Sequence, residues 1–172
     1  TEYLQKLEGK KFSNMILYHK KIIVSPITTH IAIKNISKQI LKKDFIYNKI
    51  KSLHNTLKKD FGINSPRIIF SGLNPHAGEN GNIGLEEVKI IKPVITRLKK
   101  QKLHIDGPFS ADSMINDKNL KDYDCFVFLF HDQALIPFKY ISKFSGVNFT
   151  GNLDIIRTSP DHGTAYNLVG SN

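Results

Sequence analysis

Residues 125–133 read Cys-Phe-Val-Phe-Leu-Phe-His-Asp-Gln, and this stretch decides the fold class. The six residues from Cys125 to Phe130 are continuously apolar, as a strand covered on both faces is; a strand with one wet face alternates. A polar triplet, His131-Asp132-Gln133, follows at its C-terminal end, where open α/β sheets place their ligands. Working outward, Arg67 to Ser71 is a second short apolar strand, bounded by Pro66 and Gly72. Further strands are predicted at Met15 to Tyr18, Lys21 to Val24, Leu103 to Ile105, Val147 to Thr150 and Asp154 to Thr158. The clearest helix runs from Asp44 to Phe61, where Phe45, Ile46, Ile50, Leu53, Leu57 and Phe61 recur at near-helical spacing and Gly62 stops it. A second, from about Leu85 to Lys100, turns Val88, Ile91, Ile95 and Leu98 inward, and Pro93 predicts a kink in it. Thr1 to Leu7 reads as the tail of another. Strands and helices alternate, which is the pattern of an α/β protein.

Length and composition bound the rest. The chain has 172 residues, 40% of them hydrophobic and 23% charged, enough for one domain or one domain plus part of another. No stretch approaches the roughly 20 apolar residues of a membrane span. The single cysteine, Cys125, excludes a disulfide framework and suits a reducing, cytoplasmic setting. Net charge is +10, from 25 basic and 15 acidic residues. Only Arg67, Arg97 and Arg157 are arginine, the residue that nucleic-acid sites favour. The lysines are spread over helix-like segments and read as solvated faces, not as a nucleic-acid surface.

Three histidines lie in loops that follow strands: His30 in a Thr-Thr-His loop, His76 after strand 67–71, and His131 after strand 125–130. Three neutral imidazoles suit a divalent metal with an open position. Their spacing forms no local metal motif, and on spacing alone loop histidines satisfied by backbone groups are the better reading. The loop Gly72 to Gly84 carries four glycines between a strand and a helix. It matches neither the P-loop nor the dinucleotide fingerprint. Lys139 and Arg157 suit an anionic substrate, and Arg157 sits in an otherwise apolar stretch where an arginine usually has a partner. Asp112 and Asp132 are candidate general bases, or groups that orient a histidine, as is Asp161 beside His162.

Five motifs occur in order: Leu73-Asn-Pro-His-Ala-Gly-Glu79, Gly107-Pro-Phe-Ser-Ala-Asp112, His131-Asp-Gln133, Gly146-Val-Asn148 and Ile156-Arg-Thr-Ser-Pro-Asp-His-Gly-Thr-Ala165. Together they resemble the 4-hydroxythreonine-4-phosphate dehydrogenase family of pyridoxal-phosphate biosynthesis, over essentially the whole chain. The resemblance implies an α/β/α fold of the isocitrate/isopropylmalate dehydrogenase class. It implies NAD- or NADP-dependent oxidation of 4-phosphohydroxythreonine, followed by decarboxylation to 3-amino-2-oxopropyl phosphate. It also implies a divalent metal (zinc, magnesium or cobalt) on His30, His76 and His131. Thr1, Lys139, Asn148 and Arg157 match substrate-contacting residues. Asp161, His162, Gly163, Thr164 and Ala165 look like the cofactor-contacting loop of the wider class. Asp112 and Asp132 remain unranked as the residues that move a proton or orient a ligand. A homodimer is expected, with residues of both protomers completing each site, and no nucleic-acid or membrane partner.

The family carries a large portion before the position of Thr1 and further chain beyond Asn172. The resemblance therefore implies a fragment. Residues 1–147 would be the metal, substrate and dimerisation subdomain, and residues 148–172 the start of the return into the cofactor subdomain. Such a chain is expected to be inactive alone. Relatives that act on threonate or erythronate 4-phosphate share these residues and give an alternative substrate. A metal-dependent hydrolase and a lysine-rich nucleic-acid-binding domain are the readings from other classes.

Overall fold

The computed structural model describes residues 2–20, 22–161 and 170. Helix α1 (Glu2–Leu7) leads into β1 (Asn14–His19) and β2 (Ile22–Pro26), then α2 (Ile36–Ile40) and α3 (Lys43–Lys59). Strand β3 (Arg67–Ser71) precedes a long loop and α4 (Lys92–Lys100), followed by β4 (His104–Phe109), α5 (Ala111–Met114) and α6 (Asp117–Asp122). The described part closes with β5 (Cys125–Phe128), α7 (His131–Ser142), β6 (Val147–Gly151) and β7 (Thr158–Pro160).

The strands form one sheet in the order β4-β3-β5-β2-β1-β6-β7. Strands β4, β3, β5 and β2 are mutually parallel, and β1, β6 and β7 continue the sheet antiparallel. The apolar run at 125–128 explains the layering. Cys125 and Val127 face a core made with α2, α3 and α4; Phe126 and Phe128 face a second core with Met114, Ala134, Leu135 and Phe138. Both faces are covered, which is why this strand shows no alternation. Strand β6 pairs with β1 from Asn14↔Gly151 to Tyr18↔Val147.

Three stretches differ from the sequence reading or refine it. Residues 131–142, where no element is predicted above, form a helix with Pro137 inside it; a mid-helix proline masks the pattern because it removes one donor from the ladder. Residues 154–157 are not a strand, which begins only at Thr158. The amides of Asp154 and Ile155 donate to the Glu8 carboxylate at 2.8 and 3.3 Å, so they are unavailable for a ladder. The kink at Pro93 takes the form of a π-turn, Glu87–Ile91, ahead of α4. The Lys92 amide bonds Glu87 O five residues back. The wider turn shifts the helix phase, leaving Val88 38% exposed and Glu87 fully buried.

Lys49 on α3 is buried and donates to the Ser13 carbonyl. Burial lowers its pKa from 10.5 to about 8, with the Glu2 charge pulling the other way. Below about 8 the folded state carries the full cost of the buried ammonium. Between 8 and 10.5 the unfolded chain holds the extra proton, so this group makes stability rise with pH. The gain is ~3 kcal/mol over that window. Lys49→Met is expected to remove the rise; urea denaturation of both proteins at pH 7.5 and 10.5 checks it, and identical slopes would contradict it.

Candidate active site

Because β2, β3, β5 and β4 are parallel, their C-terminal ends share one edge of the sheet. The loop after β2 carries His30, the loop after β3 carries His76, the segment after β4 carries Asp112, and His131 opens α7 three residues beyond β5. The fold thus collects at one edge residues spread over a hundred positions of sequence.

The rings of His30 and His131 lie 5.7 Å apart between centroids. Their partners are carboxylates, not the backbone groups that the alternative reading called for. His30 Nδ1 meets Glu2 Oε1 at 3.0 Å, and His131 Nδ1 meets Asp132 Oδ1 at 2.7 Å. A carboxylate only accepts, so Nδ1 carries the proton, and Nε2 is the nitrogen through which a neutral ring could bind a metal. This is the carboxylate–histidine arrangement that orients metal ligands. Two imidazoles sharing one tetrahedral ion would have centroids about 5–6 Å apart, so the pair fits. Glu2 also accepts from Thr29 Oγ1 at 2.7 Å. Burial opposes its ionisation, but the bonds from Thr29 and His30 prevail and hold its pKa at about 2.

His76 is not gathered with them: among the described residues no group of three histidine, cysteine or acidic side chains is placed to hold a metal. Its Nδ1 meets Glu79 Oε1 at 2.6 Å. That hydrogen bond and the Glu79 charge raise the His76 pKa. Asp112 accepts from Ser110 Oγ at 2.7 Å, which lowers its own pKa. It shares with Asp132 the wall of a cavity of about 560 Å³ whose apolar lining includes Ile136 and Tyr140.

The substrate candidates lie further along the chain. Lys139 on α7 sits 3.7 Å from Asp161 Oδ1. Asp161 is buried, and among the described residues its Oδ2 and Asn148 Oδ1 have no hydrogen-bond partner. Arg157 does not lie in a strand: it sits in the turn before β7, with Nη1 3.5 Å from Thr150 Oγ1. Its neighbour Ile156 is exposed. Thr1, His162, Gly163, Thr164 and Ala165 lie outside the described residues.

All 172 residues match the family model described as pyridoxal phosphate biosynthetic protein PdxA. The chain belongs to the PdxA family. It is 44% identical, over its whole length, to the 4-hydroxythreonine-4-phosphate dehydrogenase of Sulfurihydrogenibium sp., of which it covers 52%. The enzyme of that name from Wigglesworthia glossinidia brevipalpis is 45% identical, again with 52% covered. The chain therefore spans about half the length of these curated relatives. A crystal structure of the Klebsiella pneumoniae 4-hydroxythreonine-4-phosphate dehydrogenase superposes with a TM-score of 0.86 at 36% identity, over 97% of this chain and 50% of that one. The sheet and its two helical layers are those of the isocitrate/isopropylmalate dehydrogenase-like fold expected from the sequence.

In this PdxA chain the loops are tied to one another by residues that the sequence reading overlooked. Thr28 donates to Leu129 O through both its amide (3.1 Å) and its hydroxyl (2.7 Å), joining the His30 and His131 loops. Gln133 accepts from the Leu129 amide at 2.9 Å and donates to Gly72 O at 3.0 Å, joining the His131 and His76 loops. Glu86 accepts from Ser37 Oγ on α2 and from Asn74 Nδ2, both at 2.9 Å, joining the His76 loop to the helix that follows His30. The signal for Gln133 was its place in a quoted motif with no role assigned to it. Gln133→Leu keeps the bulk but strands a partly buried donor and acceptor, and is expected to cost ~2–4 kcal/mol. Chemical denaturation measures this; a loss within error of zero would mean that water replaces the brace.

Proposed function

We propose that this chain forms the metal- and substrate-binding half of a 4-hydroxythreonine-4-phosphate dehydrogenase. That enzyme oxidises 4-phosphohydroxythreonine with NAD or NADP, and the 3-oxo acid loses carbon dioxide to give 3-amino-2-oxopropyl phosphate. The observation that carries the reading is the His30–His131 pair at the C-terminal edge of the parallel strands, in a chain whose full length matches the family.

When bound, a divalent metal supplies Lewis acidity at the substrate hydroxyl and the nicotinamide supplies the hydride acceptor. The protein's own residues do the rest. His30 and His131 present Nε2 to the ion, held in orientation by Glu2 and Asp132. His76 supplies a third imidazole, its Nδ1 likewise fixed by Glu79. The three histidines would be brought together across a homodimer, as the family resemblance implies. Lys139, Asn148 and Arg157 hold the anionic end of the substrate, which shortens the search for a reactive pose. Asp112 and Asp132, which line one cavity, are the candidates to accept the hydroxyl proton. Thr1 and residues 161–165 keep their proposed substrate and cofactor roles. A single, buried cysteine supports a cytoplasmic protein.

The test is calorimetry of the chain with 4-phosphohydroxythreonine, with and without Co²⁺, beside threonate 4-phosphate, and a parallel assay of NAD and NADP reduction. Metal-dependent binding of the first compound, lost in Arg157→Ala, is expected. Tighter binding of threonate 4-phosphate would move the protein to the sugar-acid branch. Binding of neither compound overturns the reading.

A further inference from the structure

The loop that carries His76 has a backbone that L-amino acids avoid. Five successive residues, His76, Ala77, Gly78, Glu79 and Asn80, have φ between +43° and +76°. Only Gly78 among them takes that region without penalty. For the other four the left-handed conformation costs ~1–2 kcal/mol each, and such strain persists only where the surroundings over-determine it. The turn is closed at its end by bonds from Asn82 N to Glu79 O and Gly78 O and from Ile83 N to Gly78 O. Something outside the loop must hold it.

Glu87 is that group. Its side chain is fully buried on the π-turn before α4. Its Oε1 accepts from the amides of Leu73 (2.7 Å) and Asn74 (2.8 Å), and its Oε2 accepts from Asn74 Nδ2 (2.9 Å). The same carboxylate packs against the middle of the turn: a Cβ on Gly78 would lie 2.5 Å from Oε2. One buried carboxyl group thus bonds the start of the loop and packs against the residue at its centre. The left-handed turn sets His76 and Glu79 three residues apart on one face, where Nδ1 and Oε1 meet at 2.6 Å.

We infer that Glu87 is the positioning residue for His76: it touches neither substrate nor metal, and it acts by holding the strained turn that presents this imidazole. The inference rests on the proposed reading of His76 as a metal ligand, and adds the residue that aims it. Asn74 is the second arm of the device, because it spends one amide group on Glu86 and Glu87 together.

The experiment uses the 172-residue chain, with Co²⁺ alone as the probe, and compares wild type with Glu87→Ala, Glu87→Gln and His76→Ala. Two readouts are taken: Co²⁺ affinity with its visible absorption spectrum, and the imidazole NMR signals of the metal-free protein. Glu87→Ala is expected to weaken Co²⁺ binding ~10–100-fold, the range for lost support of a metal histidine, and less than His76→Ala does. It should move the His76 signals toward those of a free ring while those of His30 and His131 stay. Glu87→Gln keeps an acceptor for the two backbone amides and should stay within about threefold of wild type. Unchanged His76 signals in Glu87→Ala overturn the inference; so does an equal shift of all three rings, which marks a general loss of structure. If His76→Ala leaves Co²⁺ binding intact, His76 is not a ligand and that reading fails, while the metal-free signals still decide whether Glu87 holds the loop. Should Glu87→Ala not fold, Asn74→Ala removes one arm only, and unchanged His76 signals there overturn the inference equally.

Discussion

Gly107→Ala is expected to destabilise the protein by ~3–5 kcal/mol, more than any other single-atom-scale change at this edge of the sheet. The reason is local. Strands β3 and β4 pair from Arg67↔His104 to Ile69↔Asp106, and then the register shifts so that Ser71 faces Phe109. Gly107 and Pro108 oppose the single residue Phe70 across this bulge. Gly107 has φ +138°, and a Cβ there would run into the Phe70 carbonyl oxygen. That oxygen belongs to main chain in the middle of the sheet, so it has no room to move. Alanine therefore meets a backbone clash and a conformation it disfavours. The damage would also reach the site, because the bulge lets Phe109 O accept the Gly72 amide at 2.7 Å and so start the His76 loop. Urea denaturation gives the number. A loss below about 1 kcal/mol would show that the edge strand simply shifts aside.

His131→Ala and His30→Ala are each expected to lower Co²⁺ affinity by more than ~100-fold, beyond the range for losing an outer partner of a ligand. The expectation follows from the 5.7 Å separation of the two rings and from the carboxylates on both Nδ1 atoms. Removing either imidazole leaves the other as an isolated ligand. Asp132→Asn supplies the graded control: it keeps the size of the partner but presents no charge to Nδ1–H, and should weaken binding by ~10-fold. Calorimetry on the three variants orders them. If all bind as wild type does, the two histidines do not share an ion, whatever their spacing.

What was legible in the sequence was the part written in hydrophobic period. Strand Arg67–Ser71 appears where its apolar run ends at Pro66 and Gly72. The Asp44 to Phe61 helix appears as Lys43–Lys59. The two-faced burial of 125–128 was read correctly from six apolar residues in a row, 125–130, though the strand stops two residues short of Phe130. Placement of His30, His76 and His131 after strands was legible for the same reason. What failed was written in other terms. A proline hid helix 131–142. A carboxylate from Glu8, 146 residues away, captured the backbone at Asp154, and no local pattern announces that. Glu87 was overlooked because a π-turn rotated it inward in place of Val88; the flag was an acidic residue four positions before Ile91 on the apolar stripe.

The ties between Thr28 and Leu129, Gln133 and Gly72, and Asn74, Glu86 and Ser37 form a closed circuit through the three histidine-bearing loops. A closed circuit does not divide its energy among its links. Opening the first link leaves the other two spanning the same loops and holding much of the order. Opening the second releases what both were sharing. Double-mutant cycles between Gln133 and Asn74 should therefore return a coupling free energy, although the two side chains serve different joints. In such a system the loops are not three independent arms reaching toward one point; they melt, and form, as one cooperative unit.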